Sequence, residues 1–244
     1  MNLTGNTILI TGGTSGLGFG FAERFLHLGN RVIVCGRRVD RLDKLRNKYP
    51  EINIIQCDMM DAAQRESLAK QVMRDFPETN ILVNNAGIQL HTDLTKPVEL
   101  ESLRAEIETN LIAPIHLGSI FAEHLSSRNP SAIINITSGL AFAPSAFVPV
   151  YCATKAAMHS LTLSLRYQLR NTPTKVFEIA PPAVDTELGY QHRPDPSKSH
   201  GGIPISQFLD EAILALESDL FEAPIGMAKG LHEKREALFD FMNR

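Results

Sequence analysis

Short apolar runs alternate along the chain with longer segments in which apolar residues recur every three or four positions. Continuous apolar runs are typical of strands buried on both faces of a parallel sheet, and they predict strands at residues 7–11, 31–35, 52–57, 81–84, 132–137 and 176–180. The longer spacing predicts helices at residues 17–28, 40–49, 62–76, 99–126, 151–170, 206–218 and 231–241. Alternating strands and helices imply right-handed crossovers, so the predicted fold class is α/β, a doubly wound parallel sheet with helices on both faces.

The pattern continues along the chain without a break that would separate domains. Residues 1–244 are therefore predicted to form a single domain. A polar, turn-rich stretch at residues 190–202, YQHRPDPSKSHGG, is predicted to be a mobile surface loop. Residues 223–228, APIGMA, predict an additional edge strand.

Composition excludes several classes of protein. The chain has 244 residues, 43% of them hydrophobic and 21% charged, with a net charge of −3, which gives no sign of a nucleic-acid partner. Its three cysteines, Cys35, Cys57 and Cys152, are widely spaced, which argues against a disulfide scaffold or a CxxC metal site and favours a reducing compartment. No run approaches the roughly 18 apolar residues of a membrane span, and the N-terminal sequence MNLTGNTILITGG has no basic segment before an apolar stretch, so we expect a cytoplasmic protein without a membrane partner.

A glycine-rich turn, TGGTSGLG, follows the first predicted strand at residues 11–18. Glycines there permit a tight turn and let the backbone approach a pyrophosphate, while the N-terminus of the next helix offers unpaired N–H groups to phosphate. The motif predicts a dinucleotide site formed by Gly12, Thr14, Ser15, Gly16, Leu17 and Gly18. The alternative is a tight strand-to-helix turn with no ligand.

Two arginines stand where the second predicted strand ends, about 20 residues after the glycine turn. A protein that binds NAD would carry an Asp or Glu there for the ribose 2′-hydroxyl, whereas Arg37 and Arg38 suit a 2′-phosphate. The sequence therefore favours NADP(H) over NAD(H), with a pair of solvated surface arginines as the alternative. Asp58 follows the third strand, and either faces this ligand edge or caps the following helix.

Tyr151 and Lys155 open the helix predicted at 151–170 and lie four residues apart, on one face. A cation about 4 Å from a phenol contributes on the order of 4 kcal/mol at an effective dielectric near 20, which would lower the phenol pKa by up to roughly 3 units. This pair predicts an acid–base group usable near neutral pH. Ser138, just past the fifth strand, is placed to donate to the oxygen of a reacting carbonyl. A solvated Tyr–Lys pair and a turn serine are the ordinary alternatives.

Together these motifs resemble the classical short-chain dehydrogenase/reductase family over about the first 190 residues. The glycine turn is similar to the family's cofactor turn, residues 84–87 to its NNAG motif, and Ser138 with Tyr151-x-x-x-Lys155 to its serine and YxxxK motif. The resemblance implies a Rossmann-like single domain with Tyr151 as the acid–base group. It further implies that Ser138 steadies the substrate oxygen and that Lys155 both tunes the phenol and bonds the nicotinamide ribose.

The same resemblance implies roles for residues that the spacing alone does not select. Asn110 matches an active-site asparagine that holds a water in a proton relay with the lysine, and its alternative is a polar residue that bends the helix. The other residues that the resemblance implies to contact the cofactor all follow the ends of predicted strands. They are Asp58 at the adenine, Asn85, Ala86 and Gly87 along the cofactor channel, and Val184 with Thr186, of which Thr186 contacts the carboxamide.

Two departures from the family pattern lie toward the C-terminus. Pro181-Pro182 replaces the usual Pro-Gly after the sixth strand, which stiffens the backbone beside the nicotinamide. The glycine-rich DGG ending of many members is absent. The helical tail at residues 231–244 is more similar to the small bacterial subgroup of DltE-like oxidoreductases.

The resulting hypothesis is an oxidoreductase that transfers hydride between NADP(H), or alternatively NAD(H), and a small-molecule carbonyl or alcohol, with no metal required. Residues 188–218 are expected to cover the substrate. A rival hypothesis is a catalytically idle dinucleotide-binding sensor, which would usually lack the tyrosine or the lysine. A serine hydrolase is disfavoured because the chain has no Gly-x-Ser-x-Gly elbow. By resemblance, the helices at 99–126 and 151–170 pair copies into a homodimer or homotetramer.

Overall fold

A computed structural model describes residues 1–189 and 201–243. The described chain forms a seven-stranded parallel sheet in the order β3-β2-β1-β4-β5-β6-β7. Its strands are β1 Thr7–Thr11, β2 Arg31–Gly36, β3 Asn53–Gln56, β4 Ile81–Asn84, β5 Ser131–Ile136, β6 Thr174–Ala180 and β7 Glu222–Pro224. The strand order reverses between β1 and β4, so a crevice opens at the carboxyl ends of these two strands.

Helices cover both faces of the sheet. They are α1 Gly16–His27, α2 Val39–Lys48, α3 Ala62–Asp75, α4 Leu100–Ile107, α5 Ala113–Ser126, α6 Pro149–Gln168, α7 Ile205–Glu217, α8 Ala228–Lys234 and α9 Phe239–Met242. A π-helical turn, Glu108–Ile112, joins α4 to α5, and 3₁₀ turns occupy Gly139–Ala141 and Arg235–Leu238. Helix α1 packs against α7 on one face, and α3 packs against α5 on the other.

Alternate residues of each central strand point to opposite faces, and this builds two cores. Ile8 and Ile10 of β1 pack in one core with Phe21 of α1, whereas Leu9 packs in the other with Phe121 of α5. All five residues of β1 are buried. Burial on both faces explains why the strands appear in the sequence as continuous apolar runs.

The six strands predicted from the sequence are confirmed, each with ends within two residues of the predicted ones, and β7 begins one residue before the predicted edge segment. The helix predicted at 99–126 is confirmed, since residues 100–126 are helical without a break. Within it lies the π-helical turn that carries Asn110, which was not predicted, and such turns often occur at functional sites. The helix predicted at 231–241 is wrong as one element, because α8 ends where Arg235 adopts a φ of 48°, which a right-handed helix cannot continue.

Residues 188–218, which were expected to cover the substrate, are only partly described by the structure. Residues 190–200, most of the predicted loop, lie outside the described residues. Helix α7 packs on α1, where Leu209 contacts Gly20, and it contributes no residue to the lining of the large cleft described below. Within the described residues, no helix is long and apolar enough to cross a membrane.

Candidate active site

The glycine turn after β1 brings backbone atoms close together. Gly12 and Gly16 have φ values of 66° and 53°, in the left-handed region that favours glycine. A Cβ at Gly18 would lie 2.5 Å from the Gly12 carbonyl oxygen and 2.3 Å from Asn85 Nδ2, so no larger residue fits there without rearrangement. The turn therefore keeps the N-terminus of α1 open to a ligand that must approach the backbone closely.

The segment after β4 is hydrogen-bonded to this turn. Thr11 Oγ1 accepts the N–H groups of Asn85 and Ala86, each at 3.0 Å. Asn85 Nδ2 in turn donates to the Thr11 carbonyl oxygen at 2.9 Å. The two sides of the crevice are thus tied together, and the two motifs selected from the sequence form one structural unit.

Positive charge lies beside the N-terminus of α1. Arg37 is exposed, whereas Arg38 is half-buried and its Nη2 donates to Ser15 Oγ at 3.4 Å. Burial lowers the pKa of the Arg38 guanidinium, which remains cationic because its ordinary pKa is so high. Ser15 is the N-cap of α1, and its side chain caps none of the N–H groups of the first turn. Free amides, a helix N-terminus and two guanidiniums together suit a phosphate group.

Asp58 lies just beyond β3. Its Oδ1 accepts the N–H of Met60 at 3.0 Å. The residue that caps α3 is Asp61, which accepts the N–H groups of Ala63 and Gln64. The helix-capping alternative for Asp58 is therefore wrong, and its side chain belongs to the wall of the cleft.

A single cleft of about 1530 Å³ runs along the carboxyl edge of the sheet. It brings together nearly all of the residues that the sequence selected. Those that line it are Gly12, Thr14, Ser15, Gly16, Leu17, Arg37, Arg38, Asp58, Asn85, Ala86, Gly87, Ser138, Tyr151, Lys155, Val184 and Thr186. Gly18 and Asn110 are buried and do not line it.

Tyr151 lies in the first turn of α6 and is buried. Burial raises the pKa of its phenol above the ordinary value, and a side-chain hydrogen bond with Ser138 opposes this rise. Ser138 Oγ also accepts the N–H of Leu140 at 3.1 Å. This bond uses one acceptor position of the hydroxyl, so the hydroxyl hydrogen stays available for donation. The lowered phenol pKa expected from the sequence is not found, because burial is the largest influence on this phenol and raises its pKa.

The Lys155 ammonium is hydrogen-bonded to the backbone at the end of β5. Its Nζ donates to the Ile136 carbonyl oxygen at 2.8 Å and lies 5.6 Å from the centroid of the Tyr151 ring. Burial lowers the pKa of Lys155 to about 8, although the negative charge of Glu178 raises it in part. The ammonium is thus held at the floor of the cleft, 3.8 Å from where a Cβ on Gly87 would lie.

Asn110 and Glu106 fasten the segment that follows the NNAG motif. Asn110 Oδ1 accepts the N–H of Ile88, and its Nδ2 donates to the carbonyl oxygen of Ile88, both at 2.8 Å. Glu106 Oε1 accepts the N–H of Leu90 at 3.0 Å. Ile88 and Leu90 both line the cleft, so two buried polar side chains position one of its walls.

Glu106 carries a buried carboxyl with one unsatisfied oxygen. Its side chain is 0% exposed, and its Oε2 has no hydrogen-bond partner within the described residues. Burial raises the pKa of this carboxyl to about 7, and the hydrogen bond from Leu90 opposes the rise. The folded protein therefore binds a proton that the unfolded chain has lost between pH 4.5 and about 7, and this group's contribution to stability falls as pH rises through that window.

Glu106→Gln is expected to stabilise the protein at pH 8 by ~1–2 kcal/mol and to leave stability unchanged near pH 4.5, because the amide keeps the acceptor for Leu90 without a buried charge. Glu106→Ala should instead raise KM severalfold, since the Leu90 N–H loses its partner. Thermal unfolding at both pH values and steady-state kinetics measure these effects. Equal stability of Gln and wild type at pH 8 would contradict the assignment of a buried charge.

The family is decided by comparison with known proteins. Residues 6–197 match the family described as short chain dehydrogenase. The chain belongs to the short-chain dehydrogenase family. It is 43% identical over 241 residues to the uncharacterized oxidoreductase DltE of Bacillus subtilis (strain 168), covering 98% of this chain and 96% of that protein. This supports the DltE-like relationship expected from the C-terminal tail.

Two further relatives carry information on cofactors. The NADP-dependent 3-hydroxy acid dehydrogenase YdfG of Escherichia coli (strain K12) is 33% identical over 178 residues, 72% of each chain. A crystal structure of a short chain dehydrogenase from Burkholderia cenocepacia J2315 in complex with NADP superposes with a TM-score of 0.83 at 26% identity, covering 96% of this chain and 94% of that one. The chain is therefore a Rossmann-like oxidoreductase of a family whose members bind nicotinamide dinucleotides.

In this short-chain dehydrogenase, the cleft beyond Ser138 and Tyr151 is bounded by apolar side chains. Those contributed by loops are Leu90, Phe147, Val148 and Leu188, and those contributed by the C-terminal region are Met227, Leu231, Leu238, Phe241 and Met242. Asn243 anchors the C-terminal helices by accepting the N–H of Ala146 and donating to the Pro144 carbonyl oxygen. The tail predicted as a plain helix is thus a wall of the cleft.

Sequence reasoning did not select Glu106, Glu178 or the tail residues. Glu178 was detectable, because it is a single carboxylate inside the otherwise apolar strand segment VFEIA. Glu106 stands four residues before Asn110, at a spacing that places both side chains on one helix face. The tail offered no such signal, since its helical spacing does not show which part of the sheet it packs against.

Proposed function

We propose that this protein transfers hydride between NADP(H) and a small-molecule carbonyl or alcohol, with Tyr151 as the acid–base group. The observation that carries the proposal is the convergence of Ser138, Tyr151 and Lys155 in the same cleft as the glycine turn. Retention of both the tyrosine and the lysine favours an enzyme over a dinucleotide-binding sensor. The NADP named for two relatives supports the choice of cofactor.

The residues of the cleft fit a dinucleotide phosphate. The N-terminus of α1 would receive the pyrophosphate, while Arg37 and Arg38 would hold the 2′-phosphate. Asp58 would face the adenine. Asn85, Ala86 and Gly87 would line the channel on one side, and Val184 and Thr186 would do so at the nicotinamide end, beside the rigid Pro181-Pro182. The bound cofactor supplies or accepts the hydride.

The protein's own contribution is position and a proton. Because burial keeps the Tyr151 phenol protonated at neutral pH, it is a proton donor for a carbonyl oxygen that gains negative charge. Ser138 would donate a hydrogen bond to the same oxygen. Lys155 would bond the nicotinamide ribose. Asn110 holds the backbone of Ile88 in the wall of the cleft. It would also hold a water molecule that relays protons to Lys155.

The test is NADPH oxidation by purified protein across a panel of apolar aldehydes, ketones and quinones. Oxidation of NADPH by any member, with the matching alcohol as product, is the expected result. Altered NADPH fluorescence on binding, combined with no oxidation across the whole panel, would favour the sensor and overturn the enzyme proposal.

Arg37→Ala combined with Arg38→Ala is expected to weaken NADPH binding by roughly 10²-fold, with little change for NADH, because charge-assisted hydrogen bonds to phosphate are lost. Fluorescence titration of both cofactors measures this. Arg46→Ala is the matched control, because Arg46 forms an exposed pair with Asp43 on α2. Equal losses for NADPH and NADH would contradict a 2′-phosphate site.

We also propose a homodimer or homotetramer in a cytoplasmic setting. Exposed apolar side chains on α4, the π-helical turn, α5 and α6 support pairing through these helices; they are Leu100, Ile107, Ile112, Ile115, Leu163 and Tyr167. The cysteines Cys35, Cys57 and Cys152 are free and buried, which supports a reducing compartment. Light scattering measures the mass of the assembly.

A further inference from the structure

A second cluster of polar side chains lies outside the catalytic set, where β6, β7, α6 and α8 meet. One imidazole nitrogen of His159 and one carboxylate oxygen each of Glu178 and Glu222 all lie within 4.8 Å of one another. His232, from α8, is hydrogen-bonded to Glu222 Oε1. None of these four residues lines the large cleft.

The two carboxylates face each other across neighbouring strands. Glu178 and Glu222 are register partners on β6 and β7. Glu178 is fully buried, and like charges placed directly opposite on adjacent strands destabilise a sheet. The Lys155 ammonium already acts on Glu178 from one side. A further positive charge between the two strands, such as a divalent cation, would offset the negative charge that remains.

Other side chains hold the donor atoms in place. Thr137 Oγ1 donates to Glu178 Oε1 at 2.7 Å, which leaves Oε2 facing His159 Nδ1 at 2.8 Å. His232 holds one oxygen of Glu222 in the same way. Partners that orient the ligating side chains are characteristic of protein metal sites.

We propose that His159, Glu178 and Glu222 bind one divalent transition-metal ion of the Zn²⁺ class. One imidazole nitrogen and two carboxylate oxygens suit Zn²⁺, whereas Mg²⁺ and Ca²⁺ take oxygen ligands. Three protein ligands leave a fourth position for water or for His232 after a small movement. The ion would be structural, because none of its ligands belongs to the catalytic set.

The location gives such an ion a defined effect. The ring of Phe142 lies edge-on between His159 and His232, with centroid distances of 4.9 and 4.7 Å. A Cβ on Gly139 would lie 2.9 Å from Leu231, so the turn after Ser138 packs directly on α8. With His232 in the fourth position, the metal would fasten α8, and with it the C-terminal wall of the cleft, to the sheet beneath Ser138.

The test is Zn²⁺ uptake by full-length protein that has been stripped with a chelator. We expect one equivalent of bound Zn²⁺ per chain, by metal analysis after dialysis, and a rise in Tm of ~5–10 °C when free Zn²⁺ is about 100-fold above Kd. Mg²⁺ at the same concentration should leave Tm unchanged. No uptake of Zn²⁺ by the wild type would overturn the proposal.

Variants assign the uptake to this cluster. Glu222→Gln and His159→Gln should each lose the bound equivalent and the rise in Tm, whereas the control Glu233→Gln, on the exposed side of α8, should keep both. Glu222 is partly exposed, so Glu222→Gln stays informative should His159→Gln not fold. Zn²⁺ uptake by Glu222→Gln equal to that of wild type would place the ion elsewhere and overturn the proposal.

Discussion

Tyr151→Phe is expected to lower kcat for any substrate found by roughly 10²–10⁴-fold, the range that one acid–base group contributes. The substitution removes one hydroxyl and keeps the buried ring, so packing in the first turn of α6 should change little. NADPH binding should be preserved. The measurements are kcat for NADPH oxidation, the Kd for NADPH by fluorescence titration, and Tm.

The control for this variant is Tyr167→Phe. Tyr167 lies on the same helix, 67% exposed and far from the cleft lining, so loss of its hydroxyl should alter neither kcat nor Kd. Full activity in Tyr151→Phe would remove the phenol from the mechanism and leave Ser138 or a bound water as the proton donor. Loss of NADPH binding together with activity would instead indicate that the hydroxyl supports the fold of the cleft.

The central strands were predictable because they are buried on both faces and carry runs of apolar residues, as in β1 and β5. The π-helical turn and the early end of α8 could not be predicted from the sequence. The π-helical turn at Glu108–Ile112 contains Asn110, which bonds to Ile88, 22 residues away in the sequence. Helix α8 ends at Arg235 although neither glycine nor proline marks that position. Periodicity reports local order and contains no information on such distant contacts.

The membership of the site was predictable for a different reason. Carboxyl ends of parallel strands meet at one edge, so residues such as Arg37, Asp58, Asn85 and Ser138 had to converge once the strands were placed. The electrostatics of the site were not predictable from spacing. Four-residue spacing puts Lys155 on the face of Tyr151, but the pKa depends on burial and on the acceptor that the amine finds, here the Ile136 carbonyl oxygen.

Lys155→Met is the second substitution with a large expected effect, and its consequences for activity and stability are opposite. Activity should fall by at least as much as in Tyr151→Phe, because the cation that we propose to bond the nicotinamide ribose is lost. Stability at pH 7 should rise by ~2 kcal/mol, or ~5 °C in Tm, since an apolar side chain replaces a buried ammonium. The pKa of Lys155 falls from 10.5 to about 8 on folding, which at about 1.4 kcal/mol per pKa unit sets an upper limit of ~3 kcal/mol.

The stability difference between Lys155→Met and the wild type is expected to depend on pH. Between pH 8 and 10.5 the unfolded chain binds the Lys155 proton more strongly than the folded protein does, so wild-type stability rises with pH across that window. The advantage of Lys155→Met should therefore be constant below about pH 8 and vanish toward pH 10.5. Lys229→Met, which removes an exposed pair with Glu211, is the control and should shift stability by less than about 0.5 kcal/mol at any pH. A destabilised Lys155→Met at pH 7 would mean that the bond to Ile136 and the attraction of Glu178 outweigh the cost of burying the ammonium.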